Sequence, residues 1–195
     1  MRYLTVAVLA LLCAGTASSQ GQFGVKSGVV INYINTEGNG GTYSDVRAGF
    51  TIGASYSMSA AKNFAVQPEL NYTTLSSNET ISNATIHLAY FQVPVLLKYV
   101  TTKQNFSLYA GPQFGFLTKA DRKISGGGKT DITKELTETD FAGVFGVEFV
   151  TPINITINAR YVHGMSNVIK SEFDTFKSRH QYGALTVGYL FRNKK

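Results

Sequence analysis

The sequence predicts an all-β chain, an eight-stranded antiparallel up-and-down transmembrane β-barrel, on three observations. Apolar and polar residues alternate along stretch after stretch, ending in Thr186-Val187-Gly188-Tyr189-Leu190-Phe191. A period of two puts one set on each face of a strand. The chain opens with an export signal and carries no apolar run of about 20 residues that would make a spanning helix. Its polar, Gly-rich segments alternate long with short, the rhythm of tight turns at one end of a barrel and longer loops at the other.

Met1-Arg2 and the apolar run Leu4–Leu12 form the basic and hydrophobic parts of a signal peptide. Ala17-Ser18-Ser19 supply the small residues for cleavage before Gln20, so residues 1–19 are expected to be removed and 20–195 to form one barrel domain. The apolar run is too short to cross a hydrocarbon core of about 30 Å as an anchor. The single cysteine, Cys13, lies inside the signal behind Leu12, where a lipid-attachment site needs a small residue. The mature chain then has no thiol, which excludes disulfides and cysteine-based metal sites.

Eight strands are expected near residues 22–34, 47–60, 64–75, 85–100, 105–118, 140–150, 153–166 and 181–192. Each reaches the roughly 9–11 residues a tilted strand needs to span a bilayer. The connections at 35–46, 76–84, 119–139 and 167–180 are long; those at 61–63, 101–104 and 151–152 are short. A soluble sandwich also shows short strands and turns, but nothing obliges it to alternate long and short connections.

One face of these strands is rich in large apolar groups. Strand two offers Phe50, Ile52, Ala54, Tyr56 and Met58, and strand four offers Phe91, Val93, Val95, Leu97 and Tyr99. Strand five continues with Phe106, Leu108, Ala110, Pro112, Phe114 and Phe116, and strand six with Phe141, Phe145, Val147 and Phe149. Ile153, Ile155, Ile157, Ala159 and Tyr161 follow on strand seven, then Leu185, Val187, Tyr189 and Phe191 on strand eight. The opposite face holds glycines, amides and opposed charges. Periodicity alone does not say which face is inside. Composition does: an eight-stranded lumen is just wide enough to be filled by side chains, and glycines with a paired ionic network fit it better than many aromatics. Lys26, Glu69, Lys98, Glu148 and Arg160 are therefore expected to form an ionic network inside the barrel.

Four segments resemble the PorT-like outer-membrane β-barrel proteins, loosely the porin family, of Gram-negative bacteria. They are Phe23-Gly24-Val25-Lys26-Ser27-Gly28, Tyr90 through Tyr99, Tyr109-Ala110-Gly111-Pro112-Gln113, and Ala159-Arg160-Tyr161 with Gly164 and Asn167. Their order spans nearly the whole mature chain. The resemblance implies a small barrel in the outer membrane and little about activity, because most members have no assigned chemistry. Thr186, Gly188, Tyr189 and Phe191 fit a terminal-strand signal for the barrel assembly machinery. Here Arg192-Asn193-Lys194-Lys195 follow the aromatic that commonly ends such chains.

No enzyme emerges. His163, Ser166 and Asn167 approach a lipid A deacylase motif, but the spacing is one residue too long and puts Ser166 on the opposite strand face from His163. Glu69 and Glu148 are better explained as partners of buried cations than as an acid/base pair. His87 and His180 lack neighbouring metal-ligating residues, so neither metal nor cofactor is expected. Gly126-Gly127-Gly128-Lys129-Thr130 lacks the first glycine and the strand-to-helix context of a phosphate loop. The net charge of +6 invites a nucleic-acid reading. However, Lys119, Arg122, Lys123, Lys129 and Lys134 are interspersed with Asp121, Asp131 and Glu135, as on a solvated surface or one touching lipopolysaccharide phosphate. No nucleic-acid partner is expected.

The expected protein is thus a non-enzymatic, integral outer-membrane barrel with both mature termini in the periplasm. Its role would be structural, adhesive or as an assembly component, exercised through extracellular loops on a rigid scaffold. Expected partners are membrane lipid and lipopolysaccharide, the assembly machinery, and an unidentified protein or surface ligand at the loops. The alternative function is a narrow passive pore for small solutes.

Overall fold

The computed structural model describes residues 21–38, 41–79, 84–101, 105–124, 128–132, 139–165 and 178–191. The expected signal and the basic tail lie outside them. The strands in chain order are β1 (Gln22–Gly38), β2 (Gly41–Ala61), β3 (Phe64–Glu79), β4 (Ala84–Val100), β5 (Phe106–Ile124), β6 (Lys129–Asp131), β7 (Thr139–Val150), β8 (Ile155–Gly164) and β9 (Ser178–Phe191). Eight of them form an antiparallel ring, β4-β3-β2-β1-β9-β8-β7-β5, closed by pairing of β5 with β4. The three-residue β6 pairs with the far end of β5. Closure leaves no sheet edge, the condition for placing strands in lipid, where an unpaired backbone group is costly.

The outward set is the one read from alternation. Phe50, Ile52, Leu97, Leu108, Phe145 and Val187 are all exposed. Among the described residues, no charged side chain sits on the outer face between the two aromatic rings of the barrel. Phe23, Phe64, Tyr99, Phe106, Tyr189 and Phe191 mark the ring nearest the short turns, with Phe64 and Tyr99 edge-to-face at 5.4 Å. Tyr72, Phe91, Phe114 and Phe141 mark the other, paired at 5.4 and 5.2 Å. At roughly 3.3 Å per residue and a tilt near 40°, the ten residue steps from Phe106 to Phe116 span about 25 Å of height, the thickness of a lipid-facing band.

Four boundaries differ from the sequence expectation. The long connection expected at 35–46 is mostly paired strand, from Asn35 opposite Ser44 to Gly38 opposite Gly41. That expected at 76–84 is likewise paired from Ser76–His87 to Glu79–Ala84. The start of the 119–139 connection is also strand, because β5 runs on to Ile124 and takes up β6. Above the lipid, the outer face no longer has to be apolar, so alternation fades, while ladder hydrogen bonds still satisfy the backbone. The turn expected at 151–152 occupies 151–154, which puts Ile153 in the turn instead of on a strand. Thr151 closes this turn by donating from its amide to the Ile155 carbonyl at 2.8 Å. Asn154 adopts φ 66° there, a left-handed conformation asparagine tolerates better than most residues.

Candidate functional site in the lumen

Inward residues fill the barrel in layers from the short-turn end upward. The first layer pairs Lys98 with Glu148 in a short ion pair, and Lys98 Nζ also donates to Gln67 Oε1 at 2.9 Å. The second centres on Glu69, whose side chain is wholly buried. Arg160 donates to both its oxygens, Nη1 to Oε2 at 2.9 Å and Nη2 to Oε1 at 3.2 Å. Lys26 Nζ lies 2.6 Å from Oε2. The carboxylate further accepts from Gln67 Nε2 at 2.8 Å and Asn71 Nδ2 at 3.1 Å.

The five ionic residues singled out by sequence thus lie in two clusters, and neutral side chains bridge them. Gln67 touches both Lys98 and Glu69. Asn158 donates to Glu148 Oε2 at 3.5 Å and accepts from Arg160 Nε at 3.4 Å and from the Tyr109 hydroxyl at 2.7 Å. The Arg160 guanidinium also lies 5.7 Å from the Tyr109 ring centre, a cation–π contact. Tyr109 is a lumen residue too, turned inward by its place between outward Leu108 and Ala110. Gly146 on β7 makes the room: a Cβ there would fall 2.2 Å from the Tyr109 hydroxyl. Among the five named residues, three cations face two carboxylates. A low-dielectric interior tolerates such charges only when they are paired and hydrogen-bonded.

Above the charges comes a neutral relay. Gln92 Oε1 accepts from Thr73 Oγ1 at 2.8 Å and from the Tyr182 hydroxyl at 3.0 Å, and Tyr182 accepts from Gln113 Nε2 at 3.1 Å. Higher still, Val30, Leu75, Leu88, Tyr90, Val144 and Val162 are buried together. This apolar layer and the inward tyrosines add large side chains to the glycines, amides and charges expected on the inner face. Strand segments such as Tyr161-Val162 and Val29-Val30-Ile31 are apolar on both faces, which conceals the period of two. Below the charges, a cavity of about 290 Å³ opens at the short-turn end and stops at Lys98 and Glu148.

His163 pairs with Gly143 at the long-loop end of β8, adjacent to outward Tyr161 at 6.3 Å between ring centres. Ser166 and Asn167 lie outside the described residues. Among those described, no three His, Cys, Asp or Glu side chains converge for a metal. In the terminal-strand set, Thr186 is buried, Gly188 packs against β1 opposite Lys26, and Tyr189 and Phe191 face out, edge-to-face at 5.2 Å. Phe191 meets Phe23 across the β1–β9 seam at 5.7 Å.

An apolar, uncharged belt outside and a polar, plugged lumen inside define an integral transmembrane β-barrel. Residues 16–170 match the family described as outer membrane protein beta-barrel domain. The chain belongs to this family and is an integral outer-membrane protein. No curated protein matches it significantly. Among solved structures, Ail, the attachment invasion locus protein of Yersinia pestis, is similar at TM-score 0.54 and 19% identity, over 88% of this chain and 99% of that one. Neisserial surface protein A is similar at TM-score 0.56 and 14% identity, over 87% of this chain and 97% of that one. At such identities the likeness is one of fold.

Proposed function

We propose that this protein is a non-conducting, non-enzymatic barrel that holds its long loops at the cell surface, acting as a structural, adhesive or assembly component. The layered lumen carries the reading. Ionic, amide and apolar side chains fill it successively from the Lys98–Glu148 pair to Leu75 and Leu88, which leaves the loops and outer rim as the working surface. The resemblance in Tyr90–Tyr99 and Tyr109–Gln113 favours the PorT-like branch. Both ends of the described chain lie at the short-turn end, which in bacterial barrels faces the periplasm. The mature termini are accordingly periplasmic. Thr186, Gly188, Tyr189 and Phe191 serve as the strand read by the assembly machinery. Lys119 and Lys123, beyond the upper aromatic ring, meet lipopolysaccharide phosphate.

Two experiments test this reading. A cysteine at Gly128, where a Cβ meets nothing within 4 Å, should react with a membrane-impermeant reagent on intact cells. Labelling only after the periplasm is opened would invert the topology. The detergent-solubilised barrel should capture an envelope partner, and replacing residues 125–138, between β5 and β7, by a Gly/Ser linker should abolish capture while the eight-stranded ring still folds. Partner capture that survives replacement of every long loop would overturn the loop-surface reading.

A further inference from the structure

Between the Glu69 cluster and the Gln92 relay lies a void of about 10 Å³. The hydrogen bonds of its wall can be accounted for atom by atom. Thr73 Oγ1 donates to Gln92 Oε1, so in the 2.9 Å contact between Thr51 and Thr73 the hydroxyl of Thr51 is the donor. Tyr182 donates to Gln92 and accepts from Gln113. These groups are satisfied. On two residues of the same wall a buried polar atom has no hydrogen-bond partner within the protein: Asn71 Oδ1 and Thr186 Oγ1. The Lys26 ammonium is held by Glu69 at 2.6 Å and, with three N–H donors, keeps others to spare. Asn71 spends its Nδ2 on Glu69, which fixes the amide's orientation and leaves Oδ1 in need of a donor. A Cβ at Gly53 would fall 2.0 Å from that Oδ1, so glycine there keeps its position open.

We propose that this void is a built site for a single water molecule. The water accepts from Lys26 Nζ, donates to Asn71 Oδ1 and shares a hydrogen bond with Thr186 Oγ1. Its size is about that of one water, and buried waters make about three such bonds. Because the named lumen charges carry a surplus cation, a halide is the rival occupant. Asn71 rejects it: a halide brings no proton to Oδ1 and is repelled by the carbonyl dipole. The three partners come from β1, β3 and β9. The water therefore ties the closing strand β9 and its neighbour β1 to β3, giving Thr186 a part in sealing the barrel.

A crystal structure of the wild-type barrel grown with bromide tests the assignment directly. The expected result is one water peak at about 2.7–3.2 Å from all three atoms, with no anomalous bromide signal. A bromide peak, or direct contact among the three side chains with no peak, would overturn it. The second test is a cycle of Thr186→Val, Asn71→Leu and the double variant, followed by urea unfolding in lipid vesicles. Linked through one water, the two sites should couple by roughly tenfold in the folding equilibrium constant. Strict additivity would contradict the shared water.

Discussion

Glu69→Gln is the substitution that probes the lumen most deeply. It keeps size and shape but removes the carboxylate on which Arg160 and Lys26 both converge at 2.6–3.2 Å. One end of the new amide must also point an N–H at donors already present, whether Arg160 and Gln67 or Arg160, Lys26 and Asn71. Removing one partner of a buried ion pair costs about 3–5 kcal/mol, since it strands the opposite charge. Here two cations are stranded, so the upper part of that range is expected, about 1,000-fold or more in the folding equilibrium. Glu148→Gln should cost less, because Glu148 borders the open cavity and its stranded Lys98 can be hydrated from there. Lys26→Met added to Glu69→Gln should recover part of the loss by removing one stranded charge. Urea titration in lipid vesicles, with folded protein counted by heat-modifiable gel migration, measures all three. A loss below about 1 kcal/mol for Glu69→Gln would refute the argument that the Glu69 cluster is paired out of bulk solvent.

Three further outcomes follow from the same geometry. Leu108→Arg places a charge on the uncharged belt and should cost about 2–4 kcal/mol of folding into bilayers, whereas Lys62→Gln in the short turn should stay within about 0.5 kcal/mol by the same titration. Gly146→Val puts carbon where the Tyr109 hydroxyl sits, 2.2 Å from an ideal Cβ, and should abolish heat-modifiable folding; Tyr109→Phe in the same chain should rescue little, because the ring carbon is only 2.3 Å away. Planar bilayers carrying the purified barrel should stay silent, and stepwise conductance in the wild type would show that the ionic and apolar layers open.

Much of this structure was legible because a strand in lipid has a simple code. On β4, exposed Phe91, Leu97 and Tyr99 and half-buried Val93 and Val95 alternate with buried Gln92, Leu96 and Lys98. That pattern places the five ionic side chains on the inner face. Alternation gives the face of a residue but not its height or its partner across the lumen. Lys98 meets Glu148, 50 residues away, and Glu69 meets Arg160, 91 residues away. Such pairings depend on barrel tilt and stagger, which no local pattern encodes. The strand ends escape for a different reason: Asn35 to Gly38 and Gly41 to Ser44 are mostly polar in sequence, so their pairing continues without a hydrophobic signature. Leu96 and Val30 were hidden by apolar neighbours on the outer face.

The face assignment itself is the claim on which the rest depends, and the chain's lack of tryptophan allows a clean test. Single-tryptophan variants Phe114→Trp, on the outer belt, and Tyr90→Trp, in the lumen, are folded into vesicles of ordinary or brominated lipid. Phe114 is exposed and Tyr90 is 3% exposed, so the account predicts strong quenching by brominated chains for the first and almost none for the second. Quenching of Tyr90→Trp with an unquenched Phe114→Trp would turn the barrel inside out and contradict it.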